Sequence, residues 1–398
     1  MASIHSRFRT ARVIGLRLAT GAVVLAALGA VSGRLLASQP ATRVAVYVGT
    51  YTGGVSRGIY RFDLDTVSGT ASTPELAAET RNPSFLAMHP NGLILYAVNE
   101  VGNFGGALMG AVSAFAVDAV GHLFFMNQEA SSGIDPCHLA VDPSGRHVLV
   151  SNYTSGTLAV LPFASLGRLS PASAVYDHWG RGPVRSRQDG PHSHAAVFDP
   201  SGQFVFEADL GADLIHAYRF DAASGRLTPN EWFGSGLPPG AGPRHLAWNP
   251  SGRVLYAINE LNSTVTAFHF NAWLGSIEPV QTVSTRPDGF TGPNSAAEIA
   301  VLPNGRFLYA SNRGHDSLAV FSIDPATGRL TPAGHVSTGG KTPRHFAIDP
   351  TNRWLLAANQ GSGSITIFRL DAATGQLSEA GRVTVPDPVC LLFSQEFR

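Results

Sequence analysis

One stretch of the chain limits the possible fold more than any other: Pro243 to Glu260 reads Pro-Arg-His-Leu-Ala-Trp-Asn-Pro-Ser-Gly-Arg-Val-Leu-Tyr-Ala-Ile-Asn-Glu. Leu246, Ala247 and Trp248 are apolar, Asn-Pro-Ser-Gly intervenes, and Val254 to Ile258 are apolar again. This pattern predicts a β-hairpin, because Pro at the second turn position presets φ and Gly252 accepts the left-handed conformation that a type I turn with a bulge requires. The open ends of a hairpin lie side by side, so Arg244 and His245 are expected near Asn259 and Glu260.

The unit recurs. His89-Pro90-Asn91-Gly92, Asp142-Pro143-Ser144-Gly145, Asp199-Pro200-Ser201-Gly202, Leu302-Pro303-Asn304-Gly305 and Asp349-Pro350-Thr351-Asn352 are further copies, their prolines 47 to 57 residues apart. Each turn is followed by an apolar strand ending at Asn99, Asn152, Asp209, Asn259, Asn312 or Asn359. Most copies add a third strand, such as Val265 to Phe270, and a Gly-x-Leu step such as Gly328-Arg329-Leu330 leads into a fourth. Four strands in about fifty residues, repeated, mark a β-propeller blade. Six units leave the ring open. Val44 to Thr52 and Gly58 to Asp63 resemble a second and third strand with no first, while Pro388 to Phe393 is a first strand with nothing after it. The two ends thus complete a seventh blade, and the expected fold is an all-β seven-bladed propeller of four-stranded antiparallel blades without a free sheet edge.

Residues 1–43 differ in kind. Arg7, Arg9, Arg12 and Arg17 precede an apolar run from Leu18 to Val31, and small residues follow around Ala37 to Ala41. This is the pattern of a secretory signal peptide, with a retained anchor as the alternative. It predicts an exported, periplasmic protein, with the cytoplasm as the alternative that relatives would suggest and no stable membrane association once the leader is removed. Residues 44–398 form one domain, expected to act as a monomer or simple homo-oligomer. With 43 Gly, 26 Pro and 14% charged residues, the composition suits many short strands buried between sheets. The formal net charge is zero and no basic block is interleaved with aromatics, so nucleic acid is not an expected partner. Cys137 and Cys390 fall in blades that are not neighbours, which predicts free thiols, although an oxidising compartment leaves a bridge open.

Deviations between copies point to a site. Six and five positions before each turn proline stand Ser84 and Phe85, Cys137 and His138, His194 and Ala195, Arg244 and His245, Ala297 and Glu298, Arg344 and His345. Ten positions after it stand Glu100, Tyr153, Leu210, Glu260, Arg313 and Gln360. All must fall at one mouth of the ring, where Ser, Thr and Asn would suffice for the fold; the His, Arg and Glu there suggest a site for a polar ligand, with loop capping as the alternative for any single His. The long connection Tyr176 to His194 adds Arg181, Arg185 and Arg187, suited to bidentate binding of a carboxylate or phosphate, and His192. No Gly-x-Ser-x-Gly elbow, phosphate loop with Lys or His-Glu-x-x-His helix is present. His192 with His194 is a possible metal pair, but no dense ligand spacing recurs and no metal is expected. Glu207 stands where the other copies have Ala97, Val150, Ala257, Ala310 and Ala357; it either extends the site or meets an Arg.

Tyr47-Val48-Gly49-Thr50-Tyr51-Thr52, Gly190-Pro191-His192-Ser193-His194, Asp209-Leu210-Gly211-Ala212-Asp213, Gly242-Pro243-Arg244-His245, Asn259-Glu260-Leu261-Asn262, Ser295-Ala296-Ala297-Glu298 and Ala310-Ser311-Asn312-Arg313 together resemble the lactonase family of seven-bladed propellers, from Val44 to Phe393. That family contains the cycloisomerase-type 6-phosphogluconolactonases and the carboxy-muconate lactonising enzymes. The resemblance implies an enzyme acting on a small-molecule lactone, without a cofactor, with His194, Arg244, Glu260 and Arg313 as catalytic residues. Around them His192, Arg187, His245, Glu298, Glu100 and Arg344 are the expected substrate-binding groups. Glu260 or His194 would be the base, whichever keeps a near-neutral pKa, and the arginines would stabilise the oxyanion. Lactone hydrolysis, lactonisation of an unsaturated dicarboxylate and a non-catalytic binding propeller are the three functions this pattern allows.

Overall fold

The computed structural model describes residues 42–230 and 234–394; the leader reading falls on residues that lie outside the described ones. Seven antiparallel sheets follow one another along the chain. Their innermost strands are Leu86–Met88, Pro136–Val141, Ser193–Phe198, Pro243–Trp248, Ser295–Val301, Pro343–Ile348 and Pro388–Phe393. Each packs against the next, and the last against the first. Closure is as predicted: Pro388–Phe393 pairs with Arg43–Thr50, Leu391 opposite Val48, and the same sheet continues into Gly58–Asp65 and Glu75–Glu79. Two details differ from expectation. The copy after Asn99 does have a third strand, Ala111–Val117, obscured in the sequence by an intervening Gly-rich loop. The sheet of Ser193–Phe198 also carries a two-residue strand, Ser235–Gly236, against Leu214 and Ile215.

The turns form for the reason the sequence gives. Gly92, Gly145, Gly202, Gly252 and Gly305 have φ between 66° and 73°, and Asn352, in the one copy lacking Gly, has φ 59°. Asn is the side-chain-bearing residue best suited to that region. Second strands such as Val254–Asn259 are buried along their whole length. Both of their faces meet a neighbouring blade, so they read as continuous apolar runs rather than as alternation. Tyr256 and Ile258 of one blade, for example, share a cluster with Ile299, Leu308 and Phe321 of the next. Each such side chain contributes roughly 1.5–3 kcal/mol on burial.

Polar ties repeat around the ring as well. The hydroxyls of Tyr47, Tyr96, Tyr256 and Tyr309 donate to the carbonyls of Gly121, Gly167, Gly328 and Gly375, each in the following blade, at 2.6–3.0 Å. Trp354 Nε1 donates to Thr66 O at 2.9 Å across the closure. Burial pushes the Tyr47 phenol up to about 12, so the hydroxyl stays a donor throughout the physiological range. Tyr256→Phe leaves the Gly328 carbonyl unpaired between blades and is expected to cost about 1–3 kcal/mol, read as a lower midpoint of urea unfolding. An unchanged midpoint would mean that this tie adds nothing.

One irregularity positions the site. The pairing of the innermost strand shifts between Pro136 and His138, Ser193 and Ala195, Pro243 and His245, and Pro343 and His345. A β-bulge of this kind re-aims the extra residue. Here the extra residues are Cys137, His194, Arg244 and Arg344, all at the same end of the ring.

Candidate active site

The bulges and the ends of the partner strands bring the expected residues into one pit. Pro243 pairs with Asn259, so Glu260 leaves its strand beside Arg244. Glu260 Oε2 lies 3.0 Å from Arg244 Nε and 2.8 Å from Arg313 Nη2, while its Oε1 accepts from Arg187 Nη2 at 2.6 Å. Burial alone would raise the Glu260 pKa, but Arg313, Arg244 and Arg187 hold it well below the usual carboxylate range. Arg244 Nη1 also donates to Ala297 O at 2.7 Å and Arg313 Nη2 to Ala296 O at 3.0 Å. These two guanidiniums are thereby fixed from both sides. Arg187 is different, its side chain 41% exposed. Of the three loop arginines only Arg187 reaches Glu260; Arg181 and Arg185 are exposed.

A second cluster surrounds Glu298, whose Oε2 lies 3.0 Å from His245 Nδ1 and 3.2 Å from His345 Nε2. Leu391 N–H donates to His345 Nδ1 at 3.3 Å, which places the His345 ring proton on Nε2, facing the carboxylate. Arg244 Nη1 lies 3.4 Å from His245 Nε2, an orientation that likewise leaves the His245 proton on Nδ1. Burial pushes the Glu298 pKa up; burial and Arg244 hold His245 well below an ordinary imidazole, and burial lowers His345 to about 4 despite Glu298. A third group lies across the pit: Tyr51 donates to Glu100 at 2.9 Å and accepts from Arg344 Nη2 at 2.9 Å. Ser84, Phe85, Glu100, Cys137, Arg244, His245, Arg344, His345 and Val389 line a small cavity there.

His194 sits between these groups, its ring 5.3 Å from that of His245 and 5.6 Å from that of Tyr153, with Nδ1 3.8 Å from Cys137 Sγ. Burial, with the charge of Arg244 behind it, holds its pKa well below 6.5. Neither Glu260 nor His194 therefore keeps the near-neutral value that would single out a base. His192 stands one step back. Its ring stacks on Tyr153 at 4.4 Å and its Nδ1 lies 2.9 Å from Tyr153 O, so it braces the tyrosine that accepts from Arg187 at 3.2 Å. Sequence reasoning missed Tyr51 as a site group. It stands in the closing blade at the position of Glu100 and Glu260, but that blade has no turn proline to count from. Both cysteines are free and buried. Among the described residues no helix is long and apolar enough to cross a membrane.

A closed ring with arginines gathered on one carboxylate at its mouth defines a seven-bladed propeller with a polar pit for small molecules. Residues 45–393 match the family described as Lactonase, 7-bladed beta-propeller, and the chain belongs to that family. A 6-phosphogluconolactonase of Bacillus subtilis is 40% identical over 304 residues, 76% of this chain and 84% of that protein. A 6-phosphogluconolactonase of Formosa agariphila is 35% identical over 75% of this chain and 85% of its own. Among solved structures, the periplasmic gluconolactonase of Pseudomonas aeruginosa is 34% identical with a TM-score of 0.84, covering 89% of this chain and 99% of that one.

Proposed function

We propose that this lactonase hydrolyses a sugar lactone in the central pit, with His194 moving the proton and Arg244 and Arg313 stabilising the oxyanion. The observation that carries the reading is the immobilised pair Arg244 and Arg313 beside a neutral imidazole, in a chain 40% identical to a 6-phosphogluconolactonase. Water adds to the ring carbonyl carbon as His194 takes its proton, and negative charge develops on the carbonyl oxygen toward the guanidiniums. The ring C–O bond then breaks and the leaving oxygen takes the proton back from His194, giving an open-chain hydroxy acid. Glu260, with Oε1 taken by Arg187 and Oε2 by Arg244 and Arg313, has no oxygen left for water and serves to hold Arg244 and Arg313 in place.

His194→Ala is expected to lower kcat by about 10²–10⁴ with the fold intact. Because the imidazole pKa is depressed, the acid limb of kcat/KM is expected below pH 6.5: the neutral, proton-accepting form persists until pH falls through that lowered value. A limb at or above an ordinary histidine value, or full activity in the variant, would remove His194 from this role.

Two substrates fit the cationic pit. A phosphorylated sugar lactone suits the name of the Bacillus relative and the partly exposed positive charge of Arg187; an unphosphorylated one suits the periplasmic gluconolactonase and the export pattern of residues 1–43. Rates on 6-phosphogluconolactone and gluconolactone, measured side by side on protein lacking residues 1–40, decide between them. Turnover of neither would overturn the reading.

A further inference from the structure

Behind the wall that carries His194 lies a cluster the reaction does not use. In the sheet of Ser193–Phe198 the repeat is broken at three places. Glu207 replaces the Ala or Val of the other copies, Asp209 replaces Asn99, Asn152, Asn259, Asn312 and Asn359, and His216 replaces Ser113, Ala159, Thr266, Ala319 and Thr366. Neither blade geometry nor core packing asks for these residues, since five copies do without them. Glu207 does not meet an Arg, as its sequence position allowed, nor does it open into the pit. It is fully buried, accepts from Ser193 Oγ, and its Oε2 lies 3.1 Å from Nε2 of His178, which comes from the preceding blade's connection.

The donor atoms of His178, Asp209 and His216 lie within 4.8 Å of one another. The Asp209 Oδ1 accepts from the backbone N–H groups of His192, Gly211 and Ala212 at 2.8–3.0 Å, which fixes the carboxylate. Its buried Oδ2 has no hydrogen-bond partner among the described residues, and neither has His216 Nε2. These two atoms face each other at 3.5 Å, too far for a good hydrogen bond. Two ligands of one tetrahedral zinc, each about 2.0–2.1 Å from it, sit roughly 3.4 Å apart. His178 Nδ1 lies 2.9 Å from Gly156 O and donates to it, leaving Nε2 2.7 Å from the Tyr218 hydroxyl and 3.1 Å from Glu207 Oε2. A backbone carbonyl orienting the far nitrogen is how metal-bound histidines are held. The Tyr218 hydroxyl, 3.3 Å from Glu207 Oε2, also reaches this pair, so what stands between the imidazole and the carboxylate is the Tyr218 proton, a proton on Nε2 or a metal ion.

We propose that His178, Asp209 and His216 bind a divalent cation of the zinc class, with Glu207 as the adjoining carboxylate. Two imidazoles and carboxylate oxygen suit such an ion better than calcium or magnesium, which prefer oxygen alone. This departs from the sequence reading, which found no metal and weighed only His192 with His194; the structure commits His192 to Tyr153 and turns His194 into the pit. The ion would be structural. The connection from His178 to Ser193 carries Arg187, and the ion joins His178 at its start to Asp209, which holds His192 N–H at its end. It would thus set the loop that delivers Arg187 to Glu260.

The test is zinc binding by the full chain after treatment with a chelator, followed by calorimetry and by metal analysis after dialysis. One bound ion per chain is expected, with an intense visible absorption when cobalt replaces zinc, the mark of a tetrahedral site. Asp209→Asn and His216→Thr restore what other blades carry and so should fold. Each is expected to weaken zinc binding by more than about 100-fold, beyond the loss typical of an outer-shell partner. No retained ion, a faint octahedral-type cobalt spectrum, or binding indifferent to both variants overturns the proposal. In the first case a proton alone stands between His178 and Glu207. None of these readouts depends on lactone turnover.

Discussion

Glu260→Gln is expected to lower lactone hydrolysis by roughly 10³ or more and also to destabilise the protein. Of the arginines around Glu260, Arg244 is buried and Arg313 mostly so, and both remain charged when the carboxylate is replaced by an amide. Removing one partner of a buried ion pair costs about 3–5 kcal/mol, because the remaining charge is left uncompensated. Rate is lost because Arg244 and Arg313 no longer converge on one point; one misplaced oxyanion donor costs about 10²–10³. Stability separates this role from that of a catalytic base. A strained active-site base commonly leaves the fold more stable when it is removed, whereas the anchor described here leaves it less stable. The pH dependence has a definite sign. Since Glu260 titrates well below the ordinary glutamate range, its stabilisation is fully present above about pH 4.3 and is lost only as pH falls through the lower folded value. The deficit of the variant should therefore hold from neutral pH down to about pH 4 and narrow only under stronger acid. Urea unfolding at several pH values together with initial rates checks both parts. A variant as stable and as active as the wild type would remove Glu260 from the centre of the site.

Most of the ring was readable because the Pro and Gly turns repeat and each copy checks the others. Gly252 needs a positive φ and has one; Leu391 lacks a partner in its own unit and finds Val48. The mouth was readable for the same reason, since Arg244 and Glu260 share a hairpin and must come together. Pairwise geometry was not. Spacing places His192 and His194 alike, yet the bulge at His194 turns one into the pit and leaves the other stacked on Tyr153. Nor does spacing show that one carboxylate gathers Arg187, Arg244 and Arg313 while another takes His245 and His345, because this depends on contacts between blades up to 73 residues apart. Glu207 was visible as an anomaly but its partner was not, since His178 comes from a loop that carries no repeat to count by.

Removing Pro388–Phe393 is expected to have the largest effect on stability of any change considered. The strand supplies the innermost position of the closing blade, where Val389, Cys390 and Leu391 are buried against Arg43–Thr50 and the neighbouring sheets. At roughly 1.5–3 kcal/mol for a buried apolar side chain, these three alone account for much of the about 5–15 kcal/mol that separates folded from unfolded domains. The loss does not stop there. Arg43–Thr50 would become an unpaired edge facing the pit, and the donor from Leu391 that fixes the His345 tautomer would vanish. A chain ending at Asp387 should therefore fail to melt cooperatively and should aggregate through the exposed strand, while a peptide of the missing sequence added in trans should restore part of the transition. If the truncated chain instead melted like the full one, the ring would not depend on union of its ends, and the placement of Arg344 and His345 beside that joint would need another cause.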